Sequence, residues 1–78
     1  MDNVMELIDV DTVQFFLDNI GGHPFTVVFL KKDGTERSLT GMLDVTKASR
    51  SENVPVMEIG TGQWKSFNIN RVVWMEKA

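Results

Sequence analysis

Cysteine and tyrosine are absent from this 78-residue chain, histidine occurs once, and the first twenty residues hold no lysine or arginine. Without cysteine, neither a disulfide nor a thiolate metal site is available. The single histidine, His23, lies between Gly22 and Pro24 in a connector, which leaves no histidine-activated nucleophile of the usual kind. Asp9 and Asp11 lack the remaining ligands of a calcium loop. Gly60-x-Gly62 follows an apolar run but opens no helix pattern, so it is not a phosphate cradle. These gaps predict a chain that is not an enzyme and has no cofactor and no metal. No run approaches the ~18 apolar residues of a membrane span. The opening, Met1-Asp2-Asn3-Val4-Met5-Glu6, lacks the basic start of a signal peptide. The expectation is a soluble, cytoplasmic protein with no membrane partner.

Seventy-eight residues make one domain. A chain of this size buries only about 60% of its unfolded surface, so oligomerisation is the remaining way to bury more. The net charge of −3 is unevenly distributed. Residues 1–20 carry Asp2, Glu6, Asp9, Asp11 and Asp18, a charge of −5; residues 21–78 carry all eight bases against six acids, a charge of +2. An acidic balance argues against strong non-specific phosphate binding, which rests on clustered lysine and arginine. It does not exclude such binding by the C-terminal region alone.

Asp11-Thr12-Val13-Gln14 has the form of a capping box, and Val13, Phe16, Leu17 and Ile20 follow the spacing of one helical face. Gly21-Gly22 supplies a stop. Val4, Leu7 and Ile8 are also helix-spaced but out of phase with Val13, so a break is expected near Asp9–Asp11. The predicted division is an N-terminal arm over 1–10, a helix over 11–22 and a β-barrel over 25–77. Phe25 to Leu30 is rich in β-branched and aromatic residues and reads as a strand. Asp33-Gly34 predicts a two-residue type I′ hairpin turn. That turn would set Lys31 opposite Glu36, Phe29 opposite Ser38 and Val27 opposite Thr40. A long second strand from Thr35 to about Thr46 is interrupted by Gly41, which suggests a bend or bulge. Strands follow at Val54–Ile59, Trp64–Ile69 and Arg71–Met75. One helix followed by five short strands predicts a mainly β fold, a five-stranded SH3-like or Sm-like barrel.

The segment Trp64-Lys65-Ser66-Phe67-Asn68-Ile69-Asn70-Arg71-Val72 resembles the closing motif of WYL domains, which have an Sm-like SH3 barrel. The hairpin Lys31-Lys32-Asp33-Gly34-Thr35-Glu36-Arg37 is similar to that of a group of short WYL-like proteins frequent in bacteriophages. The resemblance covers roughly residues 25–74. It implies a small phage accessory protein, acting in the host cytoplasm, that binds nucleic acid or a nucleotide-like ligand. Val56-Met57-Glu58-Ile59 stands where the family carries its Trp-Tyr-Leu run, and Lys65 stands where arginine is usual. Lys65 and Arg71 are the positions that carry the family's ligand role over.

Trp64, Lys65 and Arg71 are therefore the candidate ligand-binding residues; Trp64 reads either as a core residue or, at the barrel rim, as a platform that stacks a base. Arg71 also suits a structural clamp that anchors the turn between the last two strands by bonding carbonyls or an acid, since its planar fork donates in a fixed geometry. Lys31, Lys32, Arg37, Lys47 and Arg50 form a second basic patch. Val4, Leu7, Ile8 and Phe15 form a candidate partner surface, because an exposed aromatic on a small domain suggests a partner. Trp74 is expected in the core. Two readings follow: a non-catalytic module for nucleic acid or a nucleotide, or a protein-interaction module that binds a host protein or forms a homo-oligomer.

Overall fold

A computed structural model describes residues 6–44 and 52–78. Among these residues one helix, α1 (Val10–Ile20), precedes five strands: β1 (Phe25–Leu30), β2 (Glu36–Leu43), β3 (Asn53–Glu58), β4 (Trp64–Asn68) and β5 (Val72–Lys77). A single 3-10 turn, Ile69–Arg71, joins β4 to β5. The strands form one antiparallel sheet in the order β4-β3-β2-β1-β5. The mainly β class with one helix is as expected. Among the described residues, however, no β4–β5 ladder closes the sheet into a barrel.

The helix cap lies two residues before the expected one. Asp9 rather than Asp11 takes the cap position: its carboxylate accepts the Asp11 amide at 3.0 Å, and its carbonyl accepts the Val13 amide at 3.0 Å. This choice brings Val10 into the helix, where it packs against the core. The inward face is the predicted one: Val13, Leu17 and Ile20 are buried and Phe16 lies partly buried beside them. Gly21 ends the helix at φ 58, a conformation that costs a residue without Cβ little. Before Asp9, residues 6–8 have no regular structure. The expected break is there, but Ile8 is docked rather than free: its amide donates to the Val72 carbonyl at 2.7 Å.

The hairpin turn differs from the expectation by one residue. Lys31 and Thr35 close a three-residue loop, with the Lys31 amide on the Thr35 carbonyl at 2.8 Å and the Gly34 amide on the Lys31 carbonyl at 2.9 Å. Only Gly34, at φ 87, has the positive φ that a type I′ turn would demand of both central residues. A type I turn followed by a left-handed glycine is the form that three-residue hairpins take. The ladder then sets Val27 against Leu39, Phe29 against Arg37 and Leu30 against Glu36. The core decides this register. Val27 and Leu39 are both buried, and the two-residue turn would have put Val27 opposite Thr40.

Gly41 is the junction of the sheet. It pairs with Phe25 of β1 on one side and Glu58 of β3 on the other. The β1–β2 ladder ends there and the β2–β3 ladder begins there. A Cβ at Gly41 would lie 2.6 Å from Val56 Cγ1 and collide with the Met57 carbonyl. The glycine therefore serves close strand approach at the point where β2 passes from one partner to the other. Pro55 sits past Val56, the last β3 residue paired with β2, where its missing N–H breaks no described ladder bond to that strand.

The core is one cluster: Val13, Leu17 and Ile20 from α1 pack on Phe25, Val27, Phe29, Leu39, Val56, Phe67, Ile69 and Val72. Phe25 meets Phe16 and Phe67 edge-on, with ring centres 5.8 and 6.5 Å apart. Such pairs add about 0.5–1.5 kcal/mol each beyond area burial. Trp74 is not part of this cluster. A register shift between Val28 and Phe29 leaves Val73 as the extra residue on β5, and Trp74 falls opposite Val28 on the outer face, 45% exposed.

Candidate binding surfaces

Trp64 opens β4 after the turn Ile59-Gly60-Thr61-Gly62-Gln63. Two left-handed glycines, Gly60 at φ 102 and Gly62 at φ 69, let this turn double back within bonding distance of Glu58. The Glu58 amide donates to the Gln63 carbonyl at 2.9 Å, and the Gly62 amide to the Glu58 carbonyl at 3.0 Å. The Thr61 hydroxyl donates to the Glu58 carboxylate at 2.9 Å. The closed turn sets Trp64 directly opposite Met57 of β3, on the face away from Phe67. The indole is half exposed and lines a shallow depression with Gly22, Met42, Leu43, Asp44 and Met57. Indole, two thioethers and a leucine give it an apolar, polarisable floor, and Asp44 is the one charged residue among the described lining residues.

Lys65 points the other way. It stands opposite buried Val56 and is only partly exposed, so its stem lies along the core-facing side of the sheet while its ammonium reaches outward. Trp64 and Lys65 are neighbours in the chain but lie on opposite faces of β4.

Arg71 ends the 3-10 turn, and its guanidinium reaches across to the end of β1. Nε donates to the Leu30 carbonyl at 3.0 Å and Nη2 to the Lys31 carbonyl at 2.9 Å. These carbonyls lie where β1 runs out into the hairpin, about forty residues earlier in the chain, and not in the β4–β5 turn. Arg71 therefore holds the hairpin against the start of β5. The turn itself is held by Asn68, whose side chain accepts the Asn70 amide at 2.8 Å.

Lys31, Lys32 and Arg37 are all exposed on the hairpin. Between them, Asp33 accepts both the Thr35 hydroxyl, at 2.6 Å, and the Thr35 amide, at 3.0 Å. The hydroxyl bond, then the amide bond, hold the Asp33 carboxyl below its ordinary value, with the Lys31 charge adding to them. Lys47 and Arg50 lie outside the described residues, so the expected joining of the loop to this patch falls there too.

On α1, Phe15 is 70% exposed. Its four neighbours on the helix surface, Asp11, Thr12, Asp18 and Asn19, are also exposed. The Gln14 amide donates to the Asp18 carboxylate at 3.1 Å, and the Asn19 amide to the Phe15 carbonyl at 2.7 Å. Leu7 is exposed as well, whereas Ile8 packs against the core and Val4 lies outside the described residues. The expected partner surface of the arm and Phe15 is thus reduced to Leu7 and Phe15.

Sequence reasoning missed Trp74. With Val28 and Leu30 it makes an apolar strip on the outer face of the β1–β5 pair. A continuous apolar run, Val72 to Met75, gives no alternation from which a face can be read. Only the bulge decides it.

Among the described residues, no group of three or more His, Cys, Asp or Glu is placed to hold a metal ion. No helix there is long and apolar enough to cross a membrane. Comparison of the chain with protein-family models, with curated proteins and with solved structures finds no match.

Proposed function

We propose that this chain is a non-catalytic protein-interaction module that takes an apolar side chain of its partner into the Trp64 depression. The observation that carries the reading is the lining itself: Trp64, Met57, Met42 and Leu43, with Asp44 as the one acid among the described lining residues. A floor of indole and thioether suits aliphatic and aromatic side chains, and flexible methionines let one surface fit several of them. Arg71, which the WYL resemblance would place on a ligand, is bonded to two backbone carbonyls. Its commitment there favours a protein partner over a phosphate. The strand order with β5 beside β1, a β2 shared between β1 and β3, and the 3-10 turn before β5 support reading the sheet as a partly open SH3-like barrel. On the resemblance to phage proteins, the partner is a host protein met in the host cytoplasm.

Panning a random peptide display library against the immobilised protein tests this. Peptides anchored by Leu, Ile, Met, Phe or Trp are expected, and Trp64→Ala should lower their affinity at least tenfold, about 1.4 kcal/mol. Failure to enrich such peptides, or equal binding to the variant, would refute the proposal.

A second reading keeps nucleic acid as the ligand, on the observation that Trp64 is half exposed at the start of an edge strand with exposed Lys31, Lys32 and Arg37 elsewhere on the domain. Stacking on one aromatic is worth about 1–3 kcal/mol per base. Titration of labelled single-stranded DNA and RNA at two salt concentrations decides between the readings. This one requires binding whose affinity falls as salt rises.

A further inference from the structure

Three side chains from three strands stand in one row on the outer face of the sheet. Met42 of β2 lies opposite Met57 of β3, and Met57 lies opposite Trp64 of β4. The Glu58 amide bonds the Gln63 carbonyl, and the Ile69 amide bonds the Glu52 carbonyl. Hydrogen-bonded pairs therefore recur at every second position of the β3–β4 ladder, and Met57–Trp64 falls between two of them. Such non-bonded pairs carry their side chains closer, with Cα atoms about 4.5 Å apart. The Met57 thioether is thus held beside the indole, a favourable neighbourhood for sulfur and ring alike.

The chain has five methionines, of which Met1 and Met5 lie outside the described residues. The other three differ in their surroundings. Met75 stands opposite buried Val27 and packs against the core. Met42 and Met57 do not belong to the core cluster; both are partly exposed, and both line the open depression beside Trp64. Their sulfur atoms are the ones that a small oxidant in solution reaches without any opening of the fold.

We propose that Met42 and Met57 form a methionine-oxidation site, at which peroxide converts the floor of the depression from apolar to polar and closes it to an apolar side chain. The thioether sulfur attacks one oxygen of hydrogen peroxide. The O–O bond breaks as the S–O bond forms, the sulfur gives up two electrons, and the other oxygen leaves as water with both protons. Each sulfoxide is polar and chiral where the thioether was apolar and adaptable, and the change is reversed by sulfoxide reductases. Two of the four apolar side chains of the lining change together, beside the indole that the partner is to meet. The loss of binding rests on the reading of the depression as a seat for a partner's side chain; the oxidation itself does not.

Peptide mapping by mass spectrometry after graded hydrogen peroxide reads the order of oxidation. Met42 and Met57 should gain oxygen several-fold faster than Met75. Trp74→Phe leaves Trp64 as the one tryptophan, and its emission should shift to the red in step with Met57 oxidation. A peptide selected on the untreated protein should bind the oxidised chain at least tenfold more weakly. It should regain its affinity after treatment with the reductases for both sulfoxide epimers. Met42→Leu with Met57→Leu keeps the apolar volume, so this variant folds, and it should bind the peptide equally before and after peroxide. Met75 oxidised as fast as the pair, an unshifted Trp64 emission, or a leucine variant weakened by peroxide as much as wild type would each overturn the proposal. Absence of any peptide that binds the untreated protein would instead refute the depression as a protein seat, and the oxidation order and the Trp64 emission would still decide the modification site.

Discussion

Replacing Arg71 by alanine removes two long-range bonds at once, and the consequences can be worked out from their surroundings. The Nε bond to Leu30 is partly buried, whereas the Nη2 bond to Lys31 is exposed. A hydrogen bond from a charged donor contributes about 1.5–3 kcal/mol when its loss leaves the acceptor without water. The exposed carbonyl of Lys31 recovers a water partner, so its loss costs little. Arg71→Ala should therefore destabilise the fold by about 2 kcal/mol, nearly all of it from Leu30. For a domain of 60–100 residues each kcal/mol lowers Tm by about 4–8 °C, which predicts a drop of about 8–16 °C. Arg71→Lys keeps the charge and can reach one carbonyl but not both in the planar fork, so it should recover only part of the loss. Urea unfolding of the three proteins, followed by far-ultraviolet circular dichroism, supplies the numbers. An alanine variant within about 0.5 kcal/mol of wild type, the range of an ordinary surface substitution, would show that the clamp does not hold the hairpin.

Gly41→Ala should destabilise by about 1–3 kcal/mol, the usual cost of forcing extra volume into a packed site, because its Cβ meets Val56 and the Met57 carbonyl. A thermal melt that leaves Tm unchanged would mean that β2 and β3 separate freely at that point. Asp33 gives a pH signature. Its carboxyl is held below the ordinary value of 3.8 by the Thr35 hydroxyl and amide, so its stabilising contribution is complete above the unfolded pKa and is lost as acid carries the pH through the lowered folded value. The urea midpoint of wild type should exceed that of Asp33→Asn at neutral pH and converge with it in acid, and a constant gap would remove this role from Asp33.

The parts of the fold that the sequence made legible are those in which one residue type at one spacing admits a single solution. Val13, Leu17 and Ile20 recur at helical spacing and are all buried. Phe25, Val27 and Phe29 alternate along β1 and all face inward. The misread parts are those where two local solutions share one sequence. Asp33-Gly34 suits a two-residue turn with both residues left-handed, and equally a three-residue loop with only the glycine so. The choice rests on Val27 meeting Leu39 across the ladder, a tertiary requirement. Asp9 and Asp11 can each cap a helix, and the contact of Val10 with the core favours the earlier one.

The candidate site divides in the same way. That Arg71 would clamp either carbonyls or an acid was legible in its chemistry, but its reach to Leu30 and Lys31 rather than to the turn it ends was not, because nothing local marks those carbonyls as its acceptors. The outward turn of Trp74 follows from a bulge whose position depends on how β5 meets β1, and no alternation in Val72-Val73-Trp74-Met75 announces it. Lys31, Lys32 and Arg37 of the expected basic patch are exposed, whereas Lys65 and Trp64, grouped as ligand-binding on the WYL-like closing motif, lie on opposite faces of a strand.

The pairing of β5 with β1, which joins Phe25 to Lys77, has a bearing on how the chain is born. A ribosome releases β1 long before it releases the strand that completes that edge. Until Lys77 has left the exit tunnel, the nascent polypeptide holds an unfinished sheet with one flank of β1 bare, and sheet flanks of that kind recruit other extended segments. Termination before the codons of β5 would leave that exposure permanent, and the truncated product should be cleared or clump rather than persist.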